Sequence, residues 1–584
     1  MKKLLIYSFL LFLFPNPPFC FGGDNTPLMM KISNEYIDRW AKFYPSQALY
    51  EGMIQSIYNY EDFSETSIQD WLVFNKKILD EINKNESKFT DEDRIDERLL
   101  RTQIETEIYK WEKEMPHKFS LSIYSDLISN TTDKVLTTEN LTTDEKYRLL
   151  IQRLNAIENL CAAATINLID GRPSSTEQSL NSLEASIRYY KEELPEITKT
   201  WMLPDNREKI IARCNEITVK IESLITYVKS YIVPNLSLPE EPILSKEVYA
   251  EKFRLYTDSD MTPEQLEKNA LQEINDVREL IANLCKDYLE ENYPDLEIPV
   301  DFDLLVEKPI DDMRNDHPSG EQEYLELLRG FSKEAENFVR DNKIVTVPEN
   351  NTLSLELAPE SMGPAARIGD MDPAPYFHPN PWTTWYLATI PDDFPEKERE
   401  DFWRSFNNHF KRFIVLHELF PGHYLQLKIA RENPHTIRLL FPYGPFTEGW
   451  ATLCEGVVIE AGWDNNNKLT LLAQLLKRLE NANRAYMSVQ VHCNNWTKEK
   501  MMEFSVNTCL LAPQFAKSLW GRLMSSPMQM TSYFVGYHQL AKLYEEEKER
   551  LGERFKTLNF MDTILRTGAI PVDEFRNIFS KKYP

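Results

Sequence analysis

The sequence predicts a mainly α fold, a large multi-helix protein with one small β-sheet in its second half. Three observations carry this. Glycine is scarce, at 17 of 584 residues, while Leu, Glu, Lys and Ile abound, a balance that favours helices. Apolar residues recur three and four positions apart over long stretches. One region only, 343–390, breaks into short β-branched and aromatic runs between Pro, Asn and Gly. The length exceeds what one ordinary core holds and calls for two or three packed units.

Along the chain, Lys2 and Lys3 precede an apolar run from Leu4 to Phe14, then Pro15, Pro17 and Pro18, then Cys20-Phe21-Gly22-Gly23. A charged start, a short apolar run and a small-residue exit make residues 1–22 a secretory signal. The protein is therefore expected to be exported, periplasmic or secreted. The apolar run is about half the ~20 residues that span a bilayer. No second run is long enough, so no stable membrane insertion is expected once the signal is removed. Lipid anchoring through Cys20 is the weaker alternative, because Pro17-Pro18-Phe19 is bulky for a lipoprotein signal.

Residues 23–245 read as an N-terminal helical region, with amphipathic stretches at 70–82, 97–113, 144–168, 177–194 and 207–231. Pro234, Pro239 and Pro242 then interrupt the periodicity and mark a linker. The second region, 246–584, carries the chemistry. Thr262-Pro263-Glu264-Gln265 opens a helix there: Thr262 caps, Pro263 suits the first turn, and Gln265 completes a capping box. Strands are expected at 344–347, 353–357 and 384–390, with a rigid proline-rich loop at 373–381. Helices resume near Glu396 and run to the end.

The net charge of −26 argues against nucleic acid as a partner, since phosphate binding needs clustered Lys and Arg. Past the signal, Cys161, Cys214, Cys285, Cys454, Cys493 and Cys509 show no paired spacing. They read as scattered thiols, neither a disulfide framework nor a thiolate zinc site.

The sharpest local signal is His417-Glu418-Leu419-Phe420-Pro421-Gly422-His423. Phe402, Phe406, Phe410, Phe413 and Ile414 recur upstream at helical spacing, and His417 continues that stripe inward. Two neutral imidazoles with a glutamate between them are what zinc peptidases place on a helix. The histidines are six apart, however, and an ideal helix turns ~240° over that interval. Pro421 breaks the helix and Gly422 accepts unusual dihedrals, so a break there would swing His423 back towards His417. The ordinary alternative is a satisfied core histidine beside a helix end. A third ligand is sought in Thr447-Glu448-Gly449-Trp450-Ala451-Thr452-Leu453-Cys454-Glu455. Thr447 reads as the N-cap of a helix that carries Glu448 and Glu455 on one face. Val457-Val458-Ile459 marks that helix as buried, and buried carboxylates need partners such as a metal, or an imidazole on a metal. The alternative is a pair of solvated acids.

These stretches resemble the bacterial family known as domain of unknown function 885, whose motifs HExxPGHxxQ and EGWAxxxE are present as 417–426 and 448–455. Arg484, His492 and Trp496-Thr497 fit a further segment of the family, as do Pro527, Gln529, Tyr533 and Gly536. So do the loop from Tyr376 to Pro379 and Tyr386, and the likeness covers residues 373–550. Where the family often has an acid four residues after the arginine, this chain has Ser488. The family is in turn similar in layout to helical zinc peptidases of the thimet oligopeptidase, carboxypeptidase Taq and angiotensin-converting enzyme type. The resemblance implies a zinc-peptidase-like fold with His417, His423 and Glu448 on Zn2+, Glu418 as general base, and His492 and Tyr533 as oxyanion donors. Glu455 is the alternative ligand, or a group that orients a histidine.

The implied reaction is hydrolysis of a peptide or small amide substrate by a zinc-activated water, with Glu418 moving its proton. The expected strands would hold an extended substrate by edge pairing. A metal-dependent amidohydrolase acting on small molecules is one rival. A catalytically idle helical binding protein is another, and the intact Glu418 speaks against it.

Overall fold

Side-chain caps start the long helices where the periodicity places them. Ser64, Thr90 and Thr142 each accept a hydrogen bond from the backbone three residues on, opening helices Glu65–Asn85, Asp91–Tyr109 and Thr143–Asn167. Pro173–Arg188 and Pro204–Tyr227 follow. Three helices end in a wider π turn, at Lys110–Glu114, Tyr189–Glu193 and Val228–Ile232. The expected capping box at Thr262 and Gln265 is present and opens Pro263–Asn292. The protein is described by a computed structural model, which covers residues 26–584 apart from 139–140, 360–361, 363–368, 379 and 392. The signal read at 1–22, Cys20, and Pro379 of the proline-rich loop lie outside the described residues.

The fold is mainly α, as the sequence predicts. Two apolar cores hold it together. One joins the inner faces of the N-terminal helices, such as Trp71, Leu154 and Ile221, to Leu328, Leu416, Trp450 and Phe560 of the second region. The other joins Ile274 and Ile281 to Leu479, Met487 and Val535. The helix Asn408–Glu418 lies at their seam, with Leu416 in the first core and Phe413 in the second.

The sheet has three strands, β1 (Leu353–Leu357), β2 (Asp370–Asp372) and β3 (Thr383–Leu387), in the order β1-β3-β2. β1 runs parallel to β3, Leu353 opposite Thr383, and β2 runs antiparallel to it. The expected strand at 344–347 is not one. The chain turns at Lys343 (φ +52°). Ile344, Val345 and Val347 plug into the first core, while Thr346 gives its N–H and hydroxyl to Asp562. Burial, not strand pairing, accounts for their β-branched character. β2, with one apolar residue between two aspartates, has no alternation to betray it. Just ahead of β1, the Thr352 N–H donates to the Tyr424 hydroxyl (2.8 Å), tying the sheet to the helix that carries His423. Among the described residues no helix is long and apolar enough to cross a membrane, and the six cysteines are all free thiols.

Candidate metal centre

The phenylalanine stripe belongs to two helices, not one. Glu396–Ser405 stops at Phe406, and the Asn407 side chain accepts from Phe410 N–H (2.9 Å) to start Asn408–Glu418 afresh. That helix ends at Glu418, where the N–H groups of Leu419 and Phe420 both turn back to the Val415 carbonyl. His423–Ala430 begins five residues later. The turn between them requires glycine: a Cβ on Gly422 would lie 1.7 Å from the His417 carbonyl oxygen. The Trp450 indole donates to the Pro421 carbonyl (3.0 Å) and fixes the turn from below. The two imidazoles are thereby brought to 4.7 Å between ring centroids, nearly perpendicular at 86°.

Glu448 reaches the same place from the helix Phe446–Glu460. Thr447 does not cap this helix; Pro445 stands at the N-cap and Thr447 lies inside the first turn. Gly449 of the motif faces Gly536 on Gln529–Leu551 so closely that a Cβ on Gly449 would meet the Gly536 backbone at 2.4 Å. With backbones in contact, Glu448 Oε2 lies 3.5 Å from Nε2 of both His417 and His423. One ligand atom from each of the three residues falls within 4.8 Å of the others.

Glu455, about two turns further along the same face and fully buried, does something different. Its Oε1 takes the His417 Nδ1–H at 2.7 Å, and its Oε2 accepts from the Gln474 amide at 3.3 Å. The geometry thus sets Glu448 beside the two Nε2 atoms and Glu455 behind His417, orienting that ring.

The residues fit a metal. Two imidazole nitrogens and a carboxylate are a zinc-type donor set, and Glu448 Oε2 is buried with no hydrogen-bond partner. Burial works against a charged His417, but the neighbouring carboxylates of Glu448 and Glu455 outweigh it and hold its pKa up to about 10. Burial likewise opposes the Glu448 charge, and His417 and His423 more than offset it, leaving its carboxyl well below the usual range.

The other expected residues divide. Glu418 ends its helix half-buried beside His417, and the Tyr533 hydroxyl has Arg522 and Gln529 nitrogens at 3.4 Å. The Arg484 guanidinium lies over the Tyr533 ring, 4.7 Å from its centroid. Burial pushes the Tyr533 hydroxyl pKa up, and the neighbouring Glu448 charge adds to that. His492 is not in this group. Its Nδ1 accepts from Leu244 N–H (3.1 Å), its Nε2 donates to the Leu523 carbonyl (3.0 Å), and it stacks on Tyr249. It is a satisfied core histidine that pins the linker, with no nitrogen left for an oxyanion. Ser488, where the family often has an acid, bonds Tyr249 and the Pro527 carbonyl, while Arg484 takes its carboxylate from Glu480, one turn earlier. Three neighbours went unnoticed in the sequence: Gln474, Lys477 and Asn481. With Arg484 they follow 3-4-3 spacing on the helix Lys468–Cys493, and a polar stripe in so apolar a helix is the signal that marks them.

A solved structure described as a "putative lipoprotein of unknown function" from Shewanella oneidensis is similar to this chain with a TM-score of 0.81 at 21% identity. It covers 95% of this chain and 100% of its own. A second, described as a "putative lipoprotein" from Colwellia psychrerythraea, has a TM-score of 0.74 at 15% identity and covers 95% of this chain and 98% of its own. At these identities the likeness is one of fold. No curated protein matches the chain. The sequence profile of a family described as "Bacterial protein of unknown function (DUF885)" matches residues 45–578, and the chain belongs to that family.

Proposed function

We propose that the protein is an exported zinc-dependent hydrolase, a metallopeptidase that cleaves peptide bonds. The observation that carries this reading is the convergence of His417, His423 and Glu448 on one point, with the Glu448 oxygen there unpartnered. These three residues would hold the zinc, which when bound acidifies water and polarises a carbonyl. Glu455 accepts the His417 Nδ1–H and so keeps the ring's Nε2 turned towards Glu448, where it would meet the zinc. Among the described residues the Glu418 side chain has no hydrogen-bond or ion-pair partner, so its carboxylate is free to take the proton of the attacking water. As water oxygen bonds to the carbonyl carbon and the C–N bond breaks, Glu418 returns that proton to the leaving amine. The Tyr533 hydroxyl donates to the carbonyl oxygen as charge develops there, an effect worth about 3 kcal/mol for a well-placed donor. The charged, apolar and small-residue start of the chain supports export.

Cleavage of a diverse peptide library tests the reading. Wild-type protein should hydrolyse members of the library, and Glu418→Gln should do so at least ~10²-fold more slowly while keeping its zinc. Equal rates in the two proteins would remove Glu418 from the mechanism.

A further inference from the structure

Beside the candidate centre the charge of the protein reverses. In a chain of net charge −26, Lys477, Arg484 and Arg522 cluster around one carboxylate, Glu480. Lys477 Nζ lies 3.1 Å from one of its oxygens, and the Arg484 guanidinium pairs with the other. Arg522 has no carboxylate partner among the described residues; it meets only the Tyr533 hydroxyl and the Gln529 side chain, both at 3.4 Å. Asn481, on the same helix face, is 3% exposed. Its oxygen takes a bond from Arg484 (3.4 Å), and its amide nitrogen is buried without an acceptor. Buried donors and cations in excess of acceptors are costly unless an anion completes them.

The cluster borders a cavity of about 330 Å³, lined among others by Lys477, Glu480, Phe410, Arg404 and Arg314. Arg404 is paired with Asp311, whereas Arg314 has no ion-pair partner among the described residues. The cluster's other side is the Tyr533 ring under Arg484, and Glu448 acts electrostatically on both. Phe410 stands seven residues before His417 on one helix, a rise of about 10 Å. An extended peptide covers that span in about three residues.

We propose that Lys477, Arg484 and Arg522, with the Asn481 amide, bind a carboxylate of the substrate a few residues from the bond that is cleaved. The inference rests on the peptidase reading and deepens it. A peptide offers this group as its C-terminal carboxylate or as an acidic side chain. Arginine's planar fork suits either, and a buried charge-assisted pair gives both register and selectivity.

The test is equilibrium binding of fluorescent pentapeptide pools to zinc-loaded Glu418→Gln protein, whose slow turnover preserves the ligand. Three pools are compared: free C-terminal acid, C-terminal amide, and amide with a last-position glutamate. The free-acid pool should bind at least ~10-fold tighter than the plain amide, the lower end of a lost charge-assisted bond. Arg522→Gln and Lys477→Gln, added singly, should bring that ratio towards one while zinc content stays at the parent's value, and Arg522→Gln, which breaks no carboxylate pair, should leave the unfolding midpoint there as well. Restored affinity in the glutamate-amide pool identifies a side-chain carboxylate, and its absence identifies the C-terminus. Equal affinities for all three pools, no binding of any pool, or a ratio that both variants leave intact overturns the carboxylate site. Acid-dependent binding without cleavage by wild-type protein overturns the peptidase reading and leaves the site standing.

Discussion

Two histidines in this protein, His417 and His435, are each held between two carboxylates. His435 meets Asp96 at 2.6 Å and Glu92 at 3.1 Å, and Arg438 sits against the same acids, its Nε 2.7 Å from Asp96. His417 meets Glu455 at 2.7 Å and Glu448 at 3.5 Å, but among the described residues no Lys or Arg comes within ion-pair distance of either glutamate. A second histidine, His423, stands where the arginine would be. The first cluster is closed by a cation built into the chain. The second is left with an unpartnered oxygen and two imidazoles facing it, which is how a polypeptide leaves room for a cation from outside.

The comparison can be broken from either side. The largest effect is expected at the closed cluster. Arg438→Met strands the buried Asp96 charge and should cost about 3–5 kcal/mol of stability, read as a lower unfolding midpoint with zinc content unchanged. A midpoint equal to wild type would mean that the arginine is not what completes that cluster. At the open cluster, Glu455→Gln should weaken zinc binding by ~10–100-fold in a chelator competition, and Glu448→Gln by more. The reverse order would make Glu455 the ligand. His492 gives a smaller effect and sharpens the contrast from a third position. His492→Gln should cost about 1–2 kcal/mol of stability through the Leu244 and Leu523 backbone groups it now serves, and turnover should stay within about twofold of wild type. A hundredfold loss of turnover at normal stability would return His492 to the reaction.

Much of this was legible in the sequence because local chemistry decides it. The cap at Thr262, the break at Pro421-Gly422 and the inward face shared by Glu448 and Glu455 each follow from residue type and spacing. What was not legible depends on partners distant in the chain. The β-branched run at 344–347 looks like a strand until the core that it fills is known. Thr447 looks like a cap until Pro445 is seen to begin the helix. His492 shares its residue type with the metal-site histidines, and only the Leu244 and Leu523 backbone groups, far off in sequence, reveal that its nitrogens are spent. Arg484 was visible as a motif residue, but Lys477 and Asn481 gain meaning only once the helix that carries them is packed beside Glu448.

The central claim is that His417, His423 and Glu448 form a place for one zinc ion, and metal analysis of the purified protein tests it most directly. The wild-type chain should carry about one zinc, and His417→Ala and His423→Ala should each lose most of it while remaining folded. Wild-type zinc retained in both variants would contradict the account.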